Sequence, residues 1–89
     1  MIKALAWALR QHPDKVNSLE KLVLVVLADM ANEDGVVNAL KYKIARTACL
    51  DIDELDTILA HLVDKGFIKE LENEIDAADT TVLYKLIVI

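Results

Sequence analysis

The stretch that decides the fold is DIDELDTILAHLVDKGFI, residues 51–68. Asp51 and Glu54 have the spacing of a capping box, in which each side chain accepts a hydrogen bond from the other residue's backbone N–H. Apolar residues then follow at the spacing of one helix face: Leu55, Ile58, Leu59 and Leu62. Gly66 is typical of the left-handed residue that ends a helix. The stretch therefore predicts an amphipathic helix over residues 51–65 that passes into a strand.

A second short helix is predicted immediately upstream, over residues 39–47, with Asn38 as its cap. Its side chains divide into an inward set, Leu40, Tyr42 and Ile44, and a basic set facing solvent, Lys41, Lys43 and Arg46. Cys49 lies in the tight connection between the helices and is expected to be a small buried residue rather than a reactive thiol. Two such helices followed by a strand pair are the arrangement of a helix-turn-helix with a wing, in which the second helix contacts DNA.

The residues before this pair predict two further helices. The first covers residues 2–11, with Trp7 at the edge of its apolar face, and ends before Pro13, because a residue preceding proline avoids helical geometry. That apolar face is formed by Ile2, Leu5, Ala6 and Leu9. The second helix covers residues 19–32 with Ser18 as its N-cap. It is apolar on nearly every side, so it is expected to be central and buried.

Turn and strand patterns account for the other segments. Composition predicts a turn over residues 32–35 and a short strand at residues 36–37. Two longer strands, residues 67–75 and 80–89, are predicted to form a hairpin around a loop at residues 76–79. The apolar ending of the chain fits a paired strand of this hairpin and equally the cut edge of a longer protein.

Length and composition predict one small domain. The expected fold is mainly α with a small β-hairpin, an α+β winged helix-turn-helix. Its parts are an N-terminal helix at residues 2–11, a helix-turn-helix core at 18–66 and a wing hairpin at 67–89. The hydrophobic share of 55% is high for 89 residues. It predicts a surface that a partner covers, most simply in a homodimer.

Several activities are not expected. The single cysteine excludes an intramolecular disulfide and a cysteine metal cluster, and His12 and His61 lack metal-ligand spacing. The N-terminal segment MIKALAWALRQH is too short to span a membrane and lacks a signal-peptide cleavage site, so no membrane contact and a cytoplasmic location are expected. No nucleophile–base pair, glycine-rich phosphate loop or metal motif is visible, so neither enzyme activity nor a cofactor is expected.

The net charge of −5 is unevenly distributed. Residues 1–50 contain seven Lys or Arg against five Asp or Glu, whereas residues 51–79 contain two against ten. A negative field repels the phosphate backbone, so this asymmetry disfavours DNA contact through the second half of the chain.

From Ser18 to Ile68 the chain resembles the winged helix-turn-helix domains of phage and plasmid replication initiators and related small regulators. The resemblance rests on SLEKLVLVVLADMANEDG, on KIARTACL, and on the spacing LxxxLxxLVDKGFI that begins at Leu55. It implies that the helix beginning near Asp51 is the DNA recognition helix. It also implies a function in the control of replication or transcription, although many unrelated activities use winged helices.

The chain departs from this family at the residues that would contact DNA. Such domains carry Arg, Lys, Ser or Thr on the exposed face of the recognition helix, where they contact phosphates and base edges. The matching positions hold Ile52, Asp53, Asp56, Thr57, Ala60 and His61. Asp51 stands where Ser or Thr is common, and Cys49 where Gly is common.

Two sets of candidate residues follow. A DNA contact would use the cationic and hydroxyl side chains of the two helices, Lys41, Lys43, Arg46, Thr57 and His61. A protein contact would use Asp53, Asp56 and Trp7. Each set has an ordinary structural explanation as well: a solvated helix face for the charged residues, and packing for the tryptophan.

The acidic face of the recognition helix leaves three interpretations open: a solvated surface, a docking face for a basic protein, or a mimic of DNA phosphate spacing. Its residues are Asp51, Asp53, Glu54, Asp56 and Asp64. Three functions remain accordingly: a DNA-binding winged helix, a protein-interaction module that kept the fold and lost the DNA surface, and an acidic inhibitor that imitates DNA. Fold analogy favours the first, and the charges favour the other two.

Overall fold

A computed structural model describes residues 2–71 and 81–88. Within these ranges the chain is an α+β structure with four helices and three strands, as expected for the class. The elements in chain order are α1 (Ile2–Leu9), α2 (Ser18–Met30), β1 (Val36–Leu40), α3 (Lys41–Ala48), α4 (Ile52–Asp64), β2 (Ile68–Glu70) and β3 (Thr81–Leu86). None of the helices in the described ranges is both long and apolar enough to cross a membrane.

The three strands form one antiparallel sheet in the order β1-β3-β2. The pairing of β1 with β3 runs from Val36 opposite Lys85 to Leu40 opposite Thr81, and β2 pairs with the other edge of β3. The strand predicted at residues 36–37 is therefore confirmed and extends to Leu40. The predicted loop at 76–79, with the adjoining parts of both long strands, lies outside the described residues.

Helix α2 is the centre of the core, as predicted. It contacts α1, α3, α4 and β1. Its buried apolar side chains are Val23, Leu24, Val26, Leu27 and Ala28. The burial is not uniform, because Leu19 and Leu22 near its beginning are exposed.

Helix α4 follows its prediction closely. The capping box is present: the Glu54 N–H donates to Asp51 Oδ1 at 2.7 Å, and the Asp51 N–H points to Glu54 Oε1 at 3.5 Å. The buried residues are the predicted Leu55, Ile58, Leu59 and Leu62. Gly66 has a φ of +82°, and the N–H of Phe67 bonds the carbonyl of Leu62. A left-handed residue therefore ends this helix and directs the chain into β2.

The predicted cap of α2 was wrong by one residue. Asn17, not Ser18, is the N-cap, and it forms a capping box with Glu20. The N–H of Glu20 donates to Asn17 Oδ1 at 2.8 Å, and the N–H of Asn17 donates to Glu20 Oε1 at 2.8 Å. The helix also ends at Met30 rather than residue 32, because Asn32 belongs to the turn before β1, where its side chain accepts two backbone N–H groups.

The predicted apolar face of α1 was wrong in part. Leu5 packs against the core as predicted, but the most buried residues are Ala4, Trp7 and Ala8, and Leu9 is 57% exposed. The helix is apolar on more than one side, so periodicity alone does not select the buried face. Two alanines on that face allow close packing against α2, and Trp7 fills the space beside them. The helix ends at Leu9, two residues before the predicted end.

Helix α3 is displaced from its prediction because β1 is longer than two residues. Asn38 lies within β1 and cannot cap the helix, whose N-cap is Leu40, with no side-chain hydrogen bond. Ile44 is buried as predicted, but Tyr42 is 49% exposed. Cys49 is also exposed rather than buried.

We predict that Leu27→Ala lowers the free energy of unfolding by about 2–5 kcal/mol, because it leaves a cavity at a fully buried site. Leu9→Ala removes the same atoms from an exposed position and is the matched control, expected to change stability by less than about 1 kcal/mol. Urea denaturation of both variants measures the difference. Equal losses would mean that α2 does not lie at the centre of the core.

Candidate functional site

The candidate site is the solvent-exposed surface formed by α3 and α4. The two helices are joined by Cys49, which has a left-handed conformation with φ 59° and ψ 40°. The N–H of the next residue, Leu50, bonds the carbonyl of Ala45 at 2.9 Å. This short left-handed connection places α4 in contact with α3.

The exposed side of α3 carries a small basic patch. Lys43 and Arg46 lie three positions apart, so their side chains are neighbours on the helix surface. Tyr42 lies beside them with half of its surface exposed. We call Tyr42, Lys43 and Arg46 the α3 basic patch. Sequence reasoning missed the tyrosine, because it placed this side chain in the core.

The exposed side of α4 is acidic. Asp53 and Asp56 are exposed, with Ile52 beside them 39% exposed. We call Ile52, Asp53 and Asp56 the α4 acidic patch. Thr57 and Ala60 are exposed on the same helix, and the Thr57 hydroxyl donates to the Asp53 carbonyl at 3.1 Å, within the helix itself.

One ion pair connects the two helices. Lys41 Nζ lies 2.8 Å from Asp56 Oδ1, with the two side chains 22% and 48% exposed. The structure therefore brings together a residue predicted to contact DNA and a residue predicted to contact protein. Because Lys41 already has a carboxylate partner, its charge is partly neutralised before any ligand arrives.

The negative charge of α4 also acts on the sheet. Tyr84 of β3 is buried, and burial raises the pKa of its hydroxyl. The carboxylates of Glu70 and Asp56 raise the same pKa further, because they oppose a negative phenolate. The phenol therefore stays neutral and adds no negative charge to this part of the structure.

His61 lies close to a buried carboxylate. Glu20 of α2 is 2% exposed, and its Oε1 accepts a hydrogen bond from Lys65 Nζ at 2.7 Å. His61 Nδ1 lies 3.4 Å from its other oxygen. Lys65 Nζ also donates to the Lys15 carbonyl at 3.0 Å. This cluster connects the beginning of α2 with the end of α4.

Burial alone would raise the pKa of the Glu20 carboxyl. The hydrogen bonds from Lys65 and from the backbone N–H of Asn17, together with the charges of Lys65 and His61, outweigh burial and hold that pKa below its usual value. Sequence reasoning missed Glu20. The spacing Asn17-x-x-Glu20 is a capping-box pattern that could have identified its position, but not its partner 45 residues away.

After these contacts, two predicted cations are available on the α3–α4 surface. Lys41 is paired with Asp56, and His61 is directed to Glu20. Within the part of the chain that the structure describes, Lys43 and Arg46 form no ion pair with a carboxylate. They are therefore the side chains of this surface that can meet an anionic ligand without first losing a partner.

Trp7 is 9% exposed and packs against Phe67, with the ring centroids 6.1 Å apart and the planes tilted by 55°. Both rings line an open cleft of about 620 Å³, which also includes Gly66 and Ile87. Only the edge of the tryptophan reaches the surface, so a partner could contact little of it. Its position accounts for packing between α1 and the beginning of β2.

The structure offers no metal centre in residues 2–71 and 81–88, where no group of three or more His, Cys, Asp or Glu side chains could hold a metal ion. Comparisons gave no similar protein: no protein-family model matches the chain, and no match was found among curated proteins or solved structures.

We predict that Glu20→Gln destabilises the fold at neutral pH by about 1–3 kcal/mol, because the variant loses a charge-assisted hydrogen bond at a buried site. The folded-state pKa of Glu20 is depressed, so its contribution is complete above the ordinary pKa of 4.5 and is lost as pH falls through the folded value. The stability difference between wild type and variant should therefore shrink in acid. Urea denaturation between neutral and acidic pH measures it.

The matched control is Glu54→Gln, at the equivalent position of the other capping box but exposed and without an ion pair to lysine in the described residues. It should change stability less, because the Glu54 carboxylate is exposed to solvent. Wild-type and Glu20→Gln stabilities that fall in parallel with pH would contradict the assigned role of the buried carboxylate.

Proposed function

We propose that this chain is a winged helix-turn-helix domain that binds duplex DNA through phosphate contacts from α3, in phage- or plasmid-type control of replication or transcription. The observation that carries the proposal is the exposed pair Lys43 and Arg46, without ion-pair partners in the described residues, beside the turn to α4.

The arrangement of elements supports the winged-helix part of the proposal. A helix, a strand and a helix pair are followed by two strands, and all three strands share one sheet in the order β1-β3-β2. In a winged helix the strands after the recognition helix form the wing, which here corresponds to β2 and β3. The helix pair corresponds to α3 and α4, with the left-handed Cys49 at the turn between them.

The charges determine how such a domain approaches DNA. A recognition helix that enters the major groove passes between two phosphate backbones, and Asp53 and Asp56 would be repelled there. Phosphate contacts from Lys43 and Arg46 do not require this insertion. Because such contacts position a protein but carry no sequence information directly, the proposed binding is weakly sequence-specific and strongly dependent on salt.

The test is fluorescence anisotropy with labelled duplex DNA of random sequence, at increasing salt. Wild-type binding should weaken steeply with salt, and Lys43→Gln with Arg46→Gln should weaken it at every salt concentration and reduce the salt slope by about 2. Lys3→Gln with Arg10→Gln is the matched control, because it removes the same charge from two exposed positions, one on α1 and one directly after it.

Equal losses in both double variants would show that binding depends on net charge alone and not on the α3 basic patch. No binding by the wild type at low salt would contradict the DNA-binding function. The second candidate function, an interaction module for a basic protein, would then take its place.

The observation that favours this second function is the α4 acidic patch. Asp53 is exposed beside the exposed side chain of Ile52, which combines negative charge with an apolar contact. Such a combination suits a basic protein surface better than a phosphate backbone. An inhibitor that imitates DNA would use the same carboxylates, and it would displace duplex DNA from a basic DNA-binding protein.

A further inference from the structure

The two helices of the candidate surface carry the same pattern with opposite charge. On α3, Tyr42 is followed by Lys43 and, three positions later, Arg46. On α4, an aliphatic residue is followed in the same way by a pair of carboxylates three positions apart: Ile52, Asp53 and Asp56. Each set therefore presents one large apolar side chain beside two like charges.

Exposure makes both patterns available for contact. Tyr42 is 49% exposed and Ile52 is 39% exposed, so each is a large apolar side chain at the surface. Residues three positions apart on a helix are neighbours, with about 5–6 Å between Cβ atoms, so the spacing of the two cations matches the spacing of the two carboxylates. The two charged pairs thus agree in their spacing along the helix, and they are opposite in sign.

We propose that the partner of this surface is a second copy of the chain, with the α3 basic patch of one copy docked on the α4 acidic patch of the other. A twofold axis between the helices makes both contacts equivalent, as an isologous interface requires. Each copy then contributes two cations and two carboxylates, one of which, Asp56, also keeps its contact with Lys41. Charge complementarity of this kind selects the partner and its orientation.

Docking of the second copy leaves the intrachain ion pair between Lys41 and Asp56 in place. Lys41 contacts one oxygen of Asp56, and the second oxygen of this half-exposed carboxylate can accept a hydrogen bond from the partner's cation. Tyr42 and Ile52 supply apolar area next to the charges. Because most of the contact is between exposed ions, the dimer weakens as salt rises.

Self-association would cover the residues that the proposed function assigns to DNA. Lys43 and Arg46 cannot contact phosphate while they contact the partner's carboxylates, so dimer formation and DNA binding exclude each other. This consequence rests on the proposed function, but the dimer itself does not. The acidic residues of α4 then have a role in the same domain, because they occupy the basic patch of a second copy when DNA is absent.

Sedimentation equilibrium of the full chain at low and high salt tests the interface by charge reversal. Lys43→Glu with Arg46→Glu, and separately Asp53→Lys with Asp56→Lys, should each reduce the dimer association constant by at least about tenfold, because like charges then face each other. A mixture of the two variant proteins restores opposite charges and should form a heterodimer. Lys3→Glu with Arg10→Glu, at exposed positions on α1 and directly after it, should leave the dimer intact.

Folding of each variant is checked by thermal unfolding. Asp53→Lys alone is a second test of the α4 acidic patch that keeps the ion pair between Lys41 and Asp56. It should also reduce the dimer association constant, but by less than Asp53→Lys with Asp56→Lys does. The inference is overturned by a wild-type chain that remains monomeric at low salt, by a dimer that tolerates both reversals, or by variants that do not associate when mixed.

DNA binding is followed separately by anisotropy, so the two proposals can fail independently. A dimer that behaves as expected in a chain that binds no DNA contradicts the DNA-binding function alone. DNA binding by a chain that is always monomeric contradicts the dimer alone. If both occur, added duplex DNA should dissociate the dimer.

Discussion

Burial of α2 is the interaction on which the remaining elements depend. The helix contacts α1, α3, α4 and β1, and the side chains of Leu24 and Leu27 are fully buried among them. Hydrophobic burial is not directional, so it brings these elements together without fixing their orientation. The relative orientation of α2 and α4 is set by polar contacts at the helix ends. Buried Glu20 accepts a hydrogen bond from Lys65, and this bond holds the end of α4 against the beginning of α2.

The orientation of α4 determines which of its charges reach solvent. Its apolar stripe faces α2, and His61 on one flank turns toward Glu20. Asp56 lies close enough to α3 to bind Lys41. The exposed acidic surface is therefore a consequence of how the core is packed. A rotation of α4 that hid these carboxylates would expose Leu55 and its neighbours, at a cost of roughly 1.5–3 kcal/mol for each apolar side chain.

The sequence predicts those features whose causes lie close together in the chain. The capping box and the apolar stripe of α4 are encoded within about three turns, and both were predicted correctly. The buried face of α1 depends on which neighbours are present, so local periodicity could not select it. Tyr42 was misplaced because the start of α3 depends on β1, whose length is fixed by pairing with β3 more than forty residues later. The partner of Glu20 could not be predicted for the same reason, since Lys65 is 45 residues away in sequence.

The candidate site shows most clearly that contacts between distant parts of the chain cannot be predicted from local sequence. Sequence alone identified Lys41, Lys43, Arg46, Thr57 and His61 as equivalent candidates, but folding gives two of them intrachain carboxylate neighbours. What distinguishes Lys43 and Arg46 is therefore tertiary structure rather than residue type. The ion pair between Lys41 and Asp56 shows that a cation of α3 and a carboxylate of α4 approach to 2.8 Å within one copy. Beside this contact, Lys43, Arg46 and Asp53 remain exposed on the same two helices. A twofold axis would repeat between two copies the kind of contact that one copy already makes within itself.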